Sequence, residues 1–400
     1  MAVTETTTVS WGSRLGGSIK GVFFGFLLFI LAIPVLFWNE DNSVKTAKAI
    51  DEGEGACIAL DSNEKVDPEM NGKLVHLTGK ADTKDVLVDD QFGVSVTAIS
   101  LERTVEMYQW IEESKTTETK KLGGGVEKKT TYKYTKDWSG HAIDSSRFYE
   151  QGHDNPAAME FESGRMYASN VSFGAFKLSD SQIKRIGAGQ DYSFPTGFVC
   201  RVARVQQKGK TIYVPNAKTR GEPLNNRDVL EQPRVGDMRV TFRVVYPHDI
   251  SIIAKQHGDT FVDYMAKNRK KLNYLENGVK DAAEMFDSAR SSNKFFTWLI
   301  RIGGFLMMFF GLSMTLKPIS VMADVIPILG DIAEIGNGLV AGLVAFICAV
   351  VTIAVAWLFY RPVIGGILLV LAGAAIWMII QKRKAAKAAK AVAASRTTAA

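Results

Sequence analysis

The chain has 400 residues, of which 46% are hydrophobic and 22% are charged, averages that suit a globular protein but hide a strong segregation along the sequence. The formal net charge is +6, and residues 382–400 contain six basic residues and no acidic residue, so the rest of the chain is neutral. A nucleic-acid-binding face needs basic residues clustered on a folded domain. Confinement of the excess charge to the tail therefore argues against nucleic acid as a partner.

Four segments are apolar and long enough to cross a bilayer, whose hydrocarbon core needs roughly 17–25 helical residues. They cover residues 19–38, 295–316, 338–360 and 363–381. Residues 39–294 contain no further segment of this kind. The sequence therefore predicts a multi-pass α-helical membrane protein with four spans and a large soluble domain inserted between spans 1 and 2, which argues against a soluble enzyme.

The basic residues near the ends of the spans predict the orientation, because such residues stay in the cytoplasm. Arg14 precedes the first span, Glu40 follows it, and the basic tail 382–400 follows the last span. Residues 1–18 and the tail are therefore predicted to be cytoplasmic, and the insert to face the periplasm or an organelle lumen. The first span could instead be a signal peptide, but it lacks an A-x-A site and exceeds the usual apolar run of about 7–15 residues, which favours an anchor.

The first part of the insert predicts a long β-hairpin. Residues 94–114 alternate between apolar and polar side chains, and residues 132–138 form the returning strand. Three glycines at 123–125 supply the turn. This hairpin is predicted to place Trp110 near Trp138, since cross-strand aromatic pairs stabilise sheets. Its charged tip is predicted to project into water.

The rest of the insert consists mostly of short predicted strands. They cover residues 73–80, 198–206, 210–214, 238–246, 251–256 and 260–264. Helix is predicted only for residues 180–186, after a possible cap at Ser179, and for 273–293, a stalk that leads into the second span. The insert is therefore predicted to be a β-rich α+β domain.

Three cysteines are present. Cys57 and Cys200 lie in the insert, and Cys348 lies in the third span. On an oxidising side of a membrane, Cys57 and Cys200 could form a disulfide. The alternative is that they are two separate thiols in a packed core. No C-x-x-C motif occurs, so a cysteine-based zinc site is not predicted.

The richest polar stretch of the insert is HAIDSSRFYEQGHDN at 141–155. Four of its side chains could bind a metal or exchange protons: His141, Asp144, His153 and Asp154. Their spacing matches neither H-x-x-x-H nor H-E-x-x-H. The alternative is a loop ordered by hydrogen bonds, with Asn155 in a turn before Pro156.

Arg301 lies inside the second span by sequence. A charged residue within a membrane is by default a functional candidate. However, Arg301 lies about two turns from the start of its span, so its side chain can also extend to the interface. A transporter or channel usually has several intramembrane polar groups, and one arginine in four spans gives little support for that function.

Residues 317–337, between the second and third spans, combine apolar residues at helical spacing with acidic ones. Asp324, Asp331 and Glu334 fall on one side, and Pro327 interrupts the helix. The segment is predicted to be an amphipathic helix on the membrane or a re-entrant hairpin. The partners expected for its acidic residues are Arg301, the basic tail or a neighbouring subunit.

Several strings of residues occur in the order found in a known family. They are VEMYQWIEE at 105–113, DWSGHAIDSSRF at 137–148, GHDNPAAM at 152–159, VGDMRVTF at 235–242, PILGD at 327–331 and WLFYRP at 357–362. In these strings, and in the four spans around one insert, the chain resembles the LUMA family, also called the transmembrane protein forty-three family. Arg301 and Asp331 have counterparts in the family, which favours a role for both in packing or assembly.

The resemblance implies a four-span protein whose large domain faces the lumen. Animal members are proteins of the endoplasmic reticulum and inner nuclear membrane that are regarded as self-associating scaffolds for envelope proteins. The family supplies no catalytic residues to carry over. Bacteria also have members, and the basic tail of this chain would suit a bacterial inner membrane. The tail and the glycine turn at 123–125 depart from the family pattern.

We therefore predict a non-enzymatic, self-associating membrane scaffold whose exported domain organises membrane or envelope assemblies. Its expected partners are the lipid bilayer, further copies of the chain and other membrane proteins, and no cofactor or metal is predicted. The candidate assembly residues are Trp110, Trp138, His141, His153, Asn155, Arg301, Asp324, Asp331 and Glu334. The alternatives are an exported ligand-binding or hydrolytic module that uses residues 141–154 and, with less support, a small transporter or channel.

Overall fold

The computed structural model describes residues 2–216, 228–363 and 365–367. The chain divides into two compact units. The first, which we call the β-rich unit, consists of residues 1–8, 49–119 and 127–289. The second, the helical unit, consists of residues 9–48, 120–126 and 290–400.

Four α-helices occur in the described residues: α1 (Trp11–Ala56), α2 (Asp180–Ile183), α3 (Ala282–Ala323) and α4 (Pro327–Tyr360). Of these, α1, α3 and α4 are long and apolar enough to cross a membrane. They contain the predicted spans 19–38, 295–316 and 338–360. The fourth predicted span, 363–381, lies outside the described residues except for 363 and 365–367. The protein is an integral membrane protein, and these helices require a lipid bilayer around them.

Small residues allow the long helices to pack closely. The carbonyl oxygen of Gly25 in α1 lies 2.6 Å from the position of a Cβ on Gly311 in α3, so neither residue leaves room for a larger one. Close approach at small residues is a common basis of helix association in membranes. The core between the helices contains five buried apolar residues: Ala32, Leu36, Met308, Ala345 and Ala349.

The structure differs from the prediction at residues 317–337. This segment is not a separate amphipathic or re-entrant element, because α3 continues to Ala323 and α4 begins at Pro327. Pro327 is the first residue of α4, where its missing N–H costs no hydrogen bond. The apolar residues of the segment, such as Ile328 and Ile332, are exposed and continue the apolar surface of the long helices.

The strands are β1 (Ala2–Val9), β2 (Ile58–Ala59), β3 (Leu74–Asp82), β4 (Val86–Asp89), β5 (Val94–Thr97), β6 (Ser100–Lys120), β7 (Val126–Ser139), β8 (Gly164–Tyr167), β9 (Ser172–Phe173), β10 (Phe176–Lys177), β11 (Gln190–Asp191), β12 (Gln206–Lys208), β13 (Thr211–Val214), β14 (Met238–Val245), β15 (His248–His257), β16 (Thr260–Val262), β17 (Tyr264–Met265), β18 (Lys271–Leu272) and β19 (Tyr274–Asn277).

Two larger sheets form the β-rich unit. The first has the strand order β1-β7-β6-β14-β13-β12, with β11 on β14 and β8 on β6. The second has the order β10-β9-β3-β15-β16, with β19 on β15 and β2 on β3. Two hairpins, β4–β5 and β17–β18, stand apart from these sheets. This arrangement confirms the predicted β-rich α+β character.

Alternating side chains explain the register of the first sheet. In β14, Val240 and Phe242 are buried while Arg243 is exposed. Val240 lies opposite Val105 of β6, so the apolar sides of both strands face one core. A shift by one residue would turn these side chains outwards, and the alternation therefore fixes the pairing.

The hairpin β6–β7 and the stalk differ in detail from the predicted elements. Strand β6 extends to Lys120, beyond the predicted end of the strand. Only the part of the predicted stalk that starts at Ala282 is helical, because residues 274–277 form β19 and pair with β15. Tertiary pairing with β15 here outweighs the weak helical pattern of residues 273–281.

Strand β1 is the part of residues 1–18 that joins the first sheet. Residues 1–18 and the insert were expected on opposite sides of the membrane. Within the first sheet, β1 is the neighbour of β7. At the end of β1, the carbonyl oxygen of Val9 lies 3.5 Å from the position of a Cβ on Gly125, in the turn of the β6–β7 hairpin.

Candidate functional site

The first polar site of the helical unit is a buried ion pair between α1 and α3. Arg301 donates from Nε and Nη2 to the two carboxylate oxygens of Glu40, at 2.7 and 2.8 Å. The side chain of Glu40 is fully buried, and that of Arg301 is 12% exposed. A bidentate pair of this kind is stronger and more specific in geometry than a single hydrogen bond.

Two tryptophans complete this site. Trp357 of α4 donates its indole N–H to Glu40 at 2.7 Å. The guanidinium of Arg301 lies 4.9 Å from the ring centroid of Trp298 and 5.5 Å from that of Trp357, which is the geometry of a cation–π contact. One carboxylate therefore connects α1, α3 and α4. We call Glu40, Trp298, Arg301 and Trp357 the ion-pair cluster.

A layer of polar side chains lies beside the ion-pair cluster. Asn39 donates to the carbonyl of Thr297 at 3.1 Å, and the Thr297 hydroxyl donates to the Ser43 hydroxyl at 2.8 Å. Asn293 donates to the carbonyl of Ser43 at 3.0 Å. Asn39 and Glu40 are therefore inside the helical packing rather than in the water after the first span, because α1 continues as a helix to Ala56.

The ion-pair cluster lies at one end of the apolar part of the helices. Arg14 and Glu40 are on one continuous helix, which places them about 39 Å apart at about 1.5 Å per residue. This length is close to the roughly 40–45 Å thickness of a bilayer with its headgroups. Arg301 therefore lies near an interface, but it binds Glu40 instead of extending to water.

The second polar site lies at the Arg14 end, around the turn between α3 and α4. Asp324 is 1% exposed and forms an ion pair with Arg14. The ammonium of Lys120 lies 2.9 Å from Asp324, 2.8 Å from Asp331 and 3.0 Å from Glu334. We call these five residues the junction cluster. The acidic residues thus bind Arg14 and Lys120 and not Arg301, which was one of the expected partners.

The tip of the β6–β7 hairpin is part of this site. The indole N–H of Trp11 donates to the carbonyl of Val321 at 2.8 Å, and Arg14 donates to the carbonyl of Gly124 at 2.6 Å. The N–H of Gly123 donates to the carbonyl of Val325 at 3.1 Å. The prediction of a tip that projects into water is therefore wrong.

Gly124 is required by this packing. Its φ is +79°, and the indole of Trp11 occupies the position that a Cβ would take. Only glycine adopts such a φ without strain, and only glycine leaves room for the ring. Gly125 has neither constraint, since the nearest atom to a Cβ there is the carbonyl oxygen of Val9 at 3.5 Å.

The acidic partners hold Lys120 in its charged form. Burial alone lowers the pKa of this ammonium. The hydrogen bonds to Asp331, Asp324 and Glu334 outweigh burial and raise the pKa above its usual value. Lys120 therefore stays protonated as long as the junction cluster is intact.

In the β-rich unit, Asn155 and His153 have structural surroundings. Asn155 accepts from the N–H of Trp110 at 2.8 Å and donates to the carbonyl of Trp110 at 2.9 Å. Its side-chain amide therefore makes the two backbone hydrogen bonds that a neighbouring strand would otherwise make to Trp110. The ring of His153 stacks on Tyr134 at 3.9 Å and meets the edge of Trp110 at 4.6 Å. This arrangement matches the predicted ordered loop.

The other polar residues of this stretch do not form a metal site. His141 accepts a hydrogen bond through its backbone carbonyl, and Asp144 accepts one from the N–H of Ser146. In the part of the chain that the structure describes, no group of three His, Cys, Asp or Glu side chains is arranged to hold a metal ion.

The aromatic residues of the hairpin pair differently from the prediction. The partner of Trp138 is Tyr108, at 5.3 Å between ring centroids, and not Trp110. The guanidinium of Arg239 also lies over the ring of Trp138, at 4.9 Å from the ring centroid. Tyr108 and Trp110 are two residues apart in β6, so their side chains lie on the same face of the strand. The observed partner of Trp138 is therefore the neighbouring aromatic residue on the predicted face.

Gln109 is a buried polar residue of β6 outside the set of predicted site residues. It is fully buried, donates to the carbonyl of His141 at 2.7 Å and accepts from the N–H of Ile143 at 2.9 Å. The signal was its position on the apolar face of β6, in line with Val105 and Met107. A buried amide at such a position needs hydrogen-bond partners.

Cys57 and Cys200 are both free thiols. They pack against different apolar clusters, so the possible disulfide is not formed and the two-thiol alternative describes the structure. Burial raises the pKa of Cys57 to about 11, and it also raises the pKa of Cys200. Neither thiol is activated as a nucleophile, because the reactive form is the thiolate.

Comparisons with known proteins cover almost the whole chain. Transmembrane protein 43 of Mus musculus is 33% identical over 371 residues, which are 90% of this chain and 89% of the mouse protein. The protein of the same name from Homo sapiens is 32% identical over 388 residues, 94% of this chain and 93% of the human protein. A homolog from Drosophila melanogaster is 28% identical over 385 residues, 94% of this chain and 96% of the fly protein. No solved structure matches.

The profile of one family, Transmembrane protein 43, matches residues 107–362. This range starts in β6 and includes α3 and α4 with Arg301, Asp324 and Trp357. Family profile and relatives agree with the strings of residues that the sequence contains. The chain therefore belongs to the Transmembrane protein 43 family, also called the LUMA family.

Proposed function

We propose that the chain is a self-associating, non-enzymatic membrane scaffold. The observation that carries this proposal is that the buried carboxylates Glu40 and Asp324 of the helical unit each bind an arginine of the same unit. Glu40 forms an ion pair with Arg301, whose guanidinium contacts the rings of Trp298 and Trp357. Asp324 forms an ion pair with Arg14. Charges used in this way fix the helices instead of offering a reactive centre.

The position of the charges also supports a scaffold over a transporter. The ion-pair cluster and the junction cluster lie at the two ends of the apolar stretch of α1. Between Lys20 and Trp38, α1 contains no charged residue. A transport path needs polar groups near the middle of the bilayer.

Open sheet edges in the β-rich unit support self-association. β1 is the last strand of its sheet among the described strands, and it is eight residues long. The edge of such a strand carries backbone groups that can pair with another chain. We propose that this edge contacts a second copy or another membrane protein, in a bacterial inner membrane or in the endoplasmic reticulum and inner nuclear membrane.

The mass of the purified protein in nanodiscs tests self-association. We expect an oligomer for the unchanged chain and a smaller assembly for Thr6→Lys, because a lysine on an edge strand blocks pairing. Thr6 is exposed in β1, and Thr196→Lys, at an exposed position outside the strands, is the matched control. A strict monomer for the unchanged chain contradicts the proposal, and so does stoichiometric metal in the purified protein.

Cysteine labelling tests the orientation of the helical unit. We propose that the Arg14 end faces the cytoplasm, because basic residues stay there. Leu122→Cys and Ser13→Cys probe this end, and Lys48→Cys probes the Glu40 end, each at an exposed position. In intact cells we expect label only in the Lys48→Cys variant. Label at the hairpin tip, or on both ends alike, contradicts this orientation.

A further inference from the structure

The two edges of the first sheet differ in how well they are protected from pairing with another chain. At one edge, β12 is only three residues long, and its last residue, Lys208, forms an ion pair with Asp228. At the other edge, β1 is eight residues long and contains no lysine, arginine, proline or glycine. Short strands and lysines are common means of preventing edge pairing. The β12 edge is therefore blocked, whereas no described strand pairs with the outer side of β1.

The sequence of β1, AVTETTTV, favours a strand that pairs. Four of its eight residues are threonine and two are valine, and both residue types are enriched in strands. Its one charged side chain is that of Glu5, which accepts a hydrogen bond from the hydroxyl of Tyr132 in β7 at 3.2 Å. The charge of Glu5 is therefore bound within its own sheet and does not block the outer edge.

The side chains of β1 alternate between the two faces of the strand. Val3, Glu5 and Val9 are half-buried on one face. The other face carries three exposed threonines: Thr4, Thr6 and Thr8. An added strand would therefore continue one face of small polar side chains and one face that is partly apolar.

The charge of Glu5 limits how β1 can pair with a second copy of itself. In two identical antiparallel strands related by a two-fold axis, one residue lies opposite its own copy, because the axis passes midway between opposite residues. With Glu5 at this centre, two like charges would lie opposite each other, which destabilises a strand pair. With Thr4 or Thr7 at the centre, only five residues of each strand are paired. With Thr6 at the centre, residues 3–9 of both copies pair without opposed charges.

We propose that two copies of the chain pair through β1, antiparallel, with Thr6 opposite Thr6. This contact rests on the proposed self-association and specifies the surface that mediates it. Val3 of each copy lies opposite Val9 of the other, and Thr4 lies opposite Thr8. Opposed threonines stabilise neighbouring strands through hydrogen bonds between their hydroxyls. The first sheets of the two copies then form one continuous sheet.

Cysteine crosslinking of the full chain in a mild detergent tests this register. Directly opposite side chains have Cβ atoms about 4.5–5.5 Å apart, so a small shift allows a disulfide. We therefore expect Thr6→Cys to form a covalent dimer on mild oxidation. Thr4→Cys is the matched control, an exposed threonine on the same face. It lies four positions, or about 13 Å along the strand, from its own copy, and we expect roughly tenfold less dimer.

Co-expression of Thr4→Cys and Thr8→Cys, with different tags, tests the register a second time. These positions lie opposite each other in the proposed pair, so we expect a mixed dimer. All variants keep the native cysteines, so crosslinks through those residues appear equally in each. Equal crosslinking of Thr6→Cys and Thr4→Cys contradicts the register. An oligomer in nanodiscs without a Thr6→Cys crosslink shows self-association through another surface, whereas a monomer in nanodiscs contradicts both this contact and the proposed self-association.

Discussion

The ion-pair cluster and the junction cluster are both charge networks of the helical unit, but they differ in how far their charged side chains are buried. Glu40 is fully buried and binds Arg301 and Trp357, so every charge has a partner inside the protein. In the junction cluster, Asp331 and Glu334 are each 63% exposed. One network is closed to solvent, and the other is open.

This difference has energetic consequences. A closed pair costs free energy to bury, and loss of one partner leaves an uncompensated charge in a low dielectric. Charges in an open network are screened by water and contribute little one by one. We infer that the ion-pair cluster fixes the arrangement of α1, α3 and α4. The junction cluster can exchange partners, which suits the site that holds the hairpin tip.

The sharpest test of this comparison removes one acid from each cluster. Glu40→Gln leaves Arg301 buried without its counter-charge, and we expect a loss of about 3–5 kcal/mol in unfolding free energy. Glu334→Gln makes the same chemical change at an exposed position, where we expect less than about 1 kcal/mol. Unfolding in nanodiscs, followed by tryptophan fluorescence, measures both. Equal effects of the two variants would remove the distinction between the clusters.

Within the ion-pair cluster, two tryptophans can be compared. Trp357→Phe keeps an aromatic ring but removes the N–H that binds Glu40, and we expect a loss of about 1.5–3 kcal/mol. Trp298 is 61% exposed and donates no hydrogen bond to Glu40. Trp298→Phe therefore loses only part of its cation–π contact with Arg301, which contributes about 0.5–1 kcal/mol. If Trp298→Phe proves the more damaging change, the indole hydrogen bond is not what closes the cluster.

The sequence predicted the elements that depend on local pattern. The alternation in β14 indicated its strand. Gly209 indicated the turn between β12 and β13, but the predicted first arm of this hairpin, residues 198–206, shares only residue 206 with β12. Three of the four predicted spans coincide with helices that are long and apolar enough to cross a membrane, and the fourth lies outside the described residues except for 363 and 365–367. Each of these signals lies within a window of about twenty residues, so no knowledge of distant neighbours was needed.

The partners of the charges could not be predicted in this way. Glu40 and Arg301 are 261 positions apart in the sequence, and Lys120 and Asp331 are 211 apart. A charge shows no preference for one distant counter-charge over another. However, one signal was present: after Trp38 the chain contains no proline and no glycine before Gly53, so α1 had no reason to end at the membrane boundary. A longer α1 would have placed Glu40 on a helix that faces α3.

At the junction cluster, two adjacent glycines test the role of tip packing. Gly124→Ala forces a side chain into the Trp11 indole at a φ of +79°, and we expect a loss of about 1–3 kcal/mol. Gly125→Ala meets only an ordinary contact at 3.5 Å and is expected to be close to neutral. Hydrogen exchange at residues 120–126 measures the local effect. Similar exchange in both variants would show that the tip is not held by Trp11.

The smallest expected effect concerns the protonation of Lys120. Because the folded pKa lies above the unfolded value of about 10.4, folding favours the protonated form. The stabilisation is fully present below that unfolded value and decreases as the pH rises above it. We expect the unfolding temperature of the unchanged chain to fall more steeply between about pH 9.5 and pH 11 than that of Lys120→Gln.

The control is Lys20→Gln, which removes an exposed lysine at the same end of α1 and outside the junction cluster. The groups that face Lys120 are the carboxylates of Asp324, Asp331 and Glu334. Tyrosines elsewhere also titrate at high pH, but they contribute equally to all three proteins. Parallel curves for Lys120→Gln and the unchanged chain would show that solvent screens the junction cluster completely. In that case the ion pairs of the junction cluster would contribute nothing to stability, and only the ion-pair cluster would stabilise the helical unit.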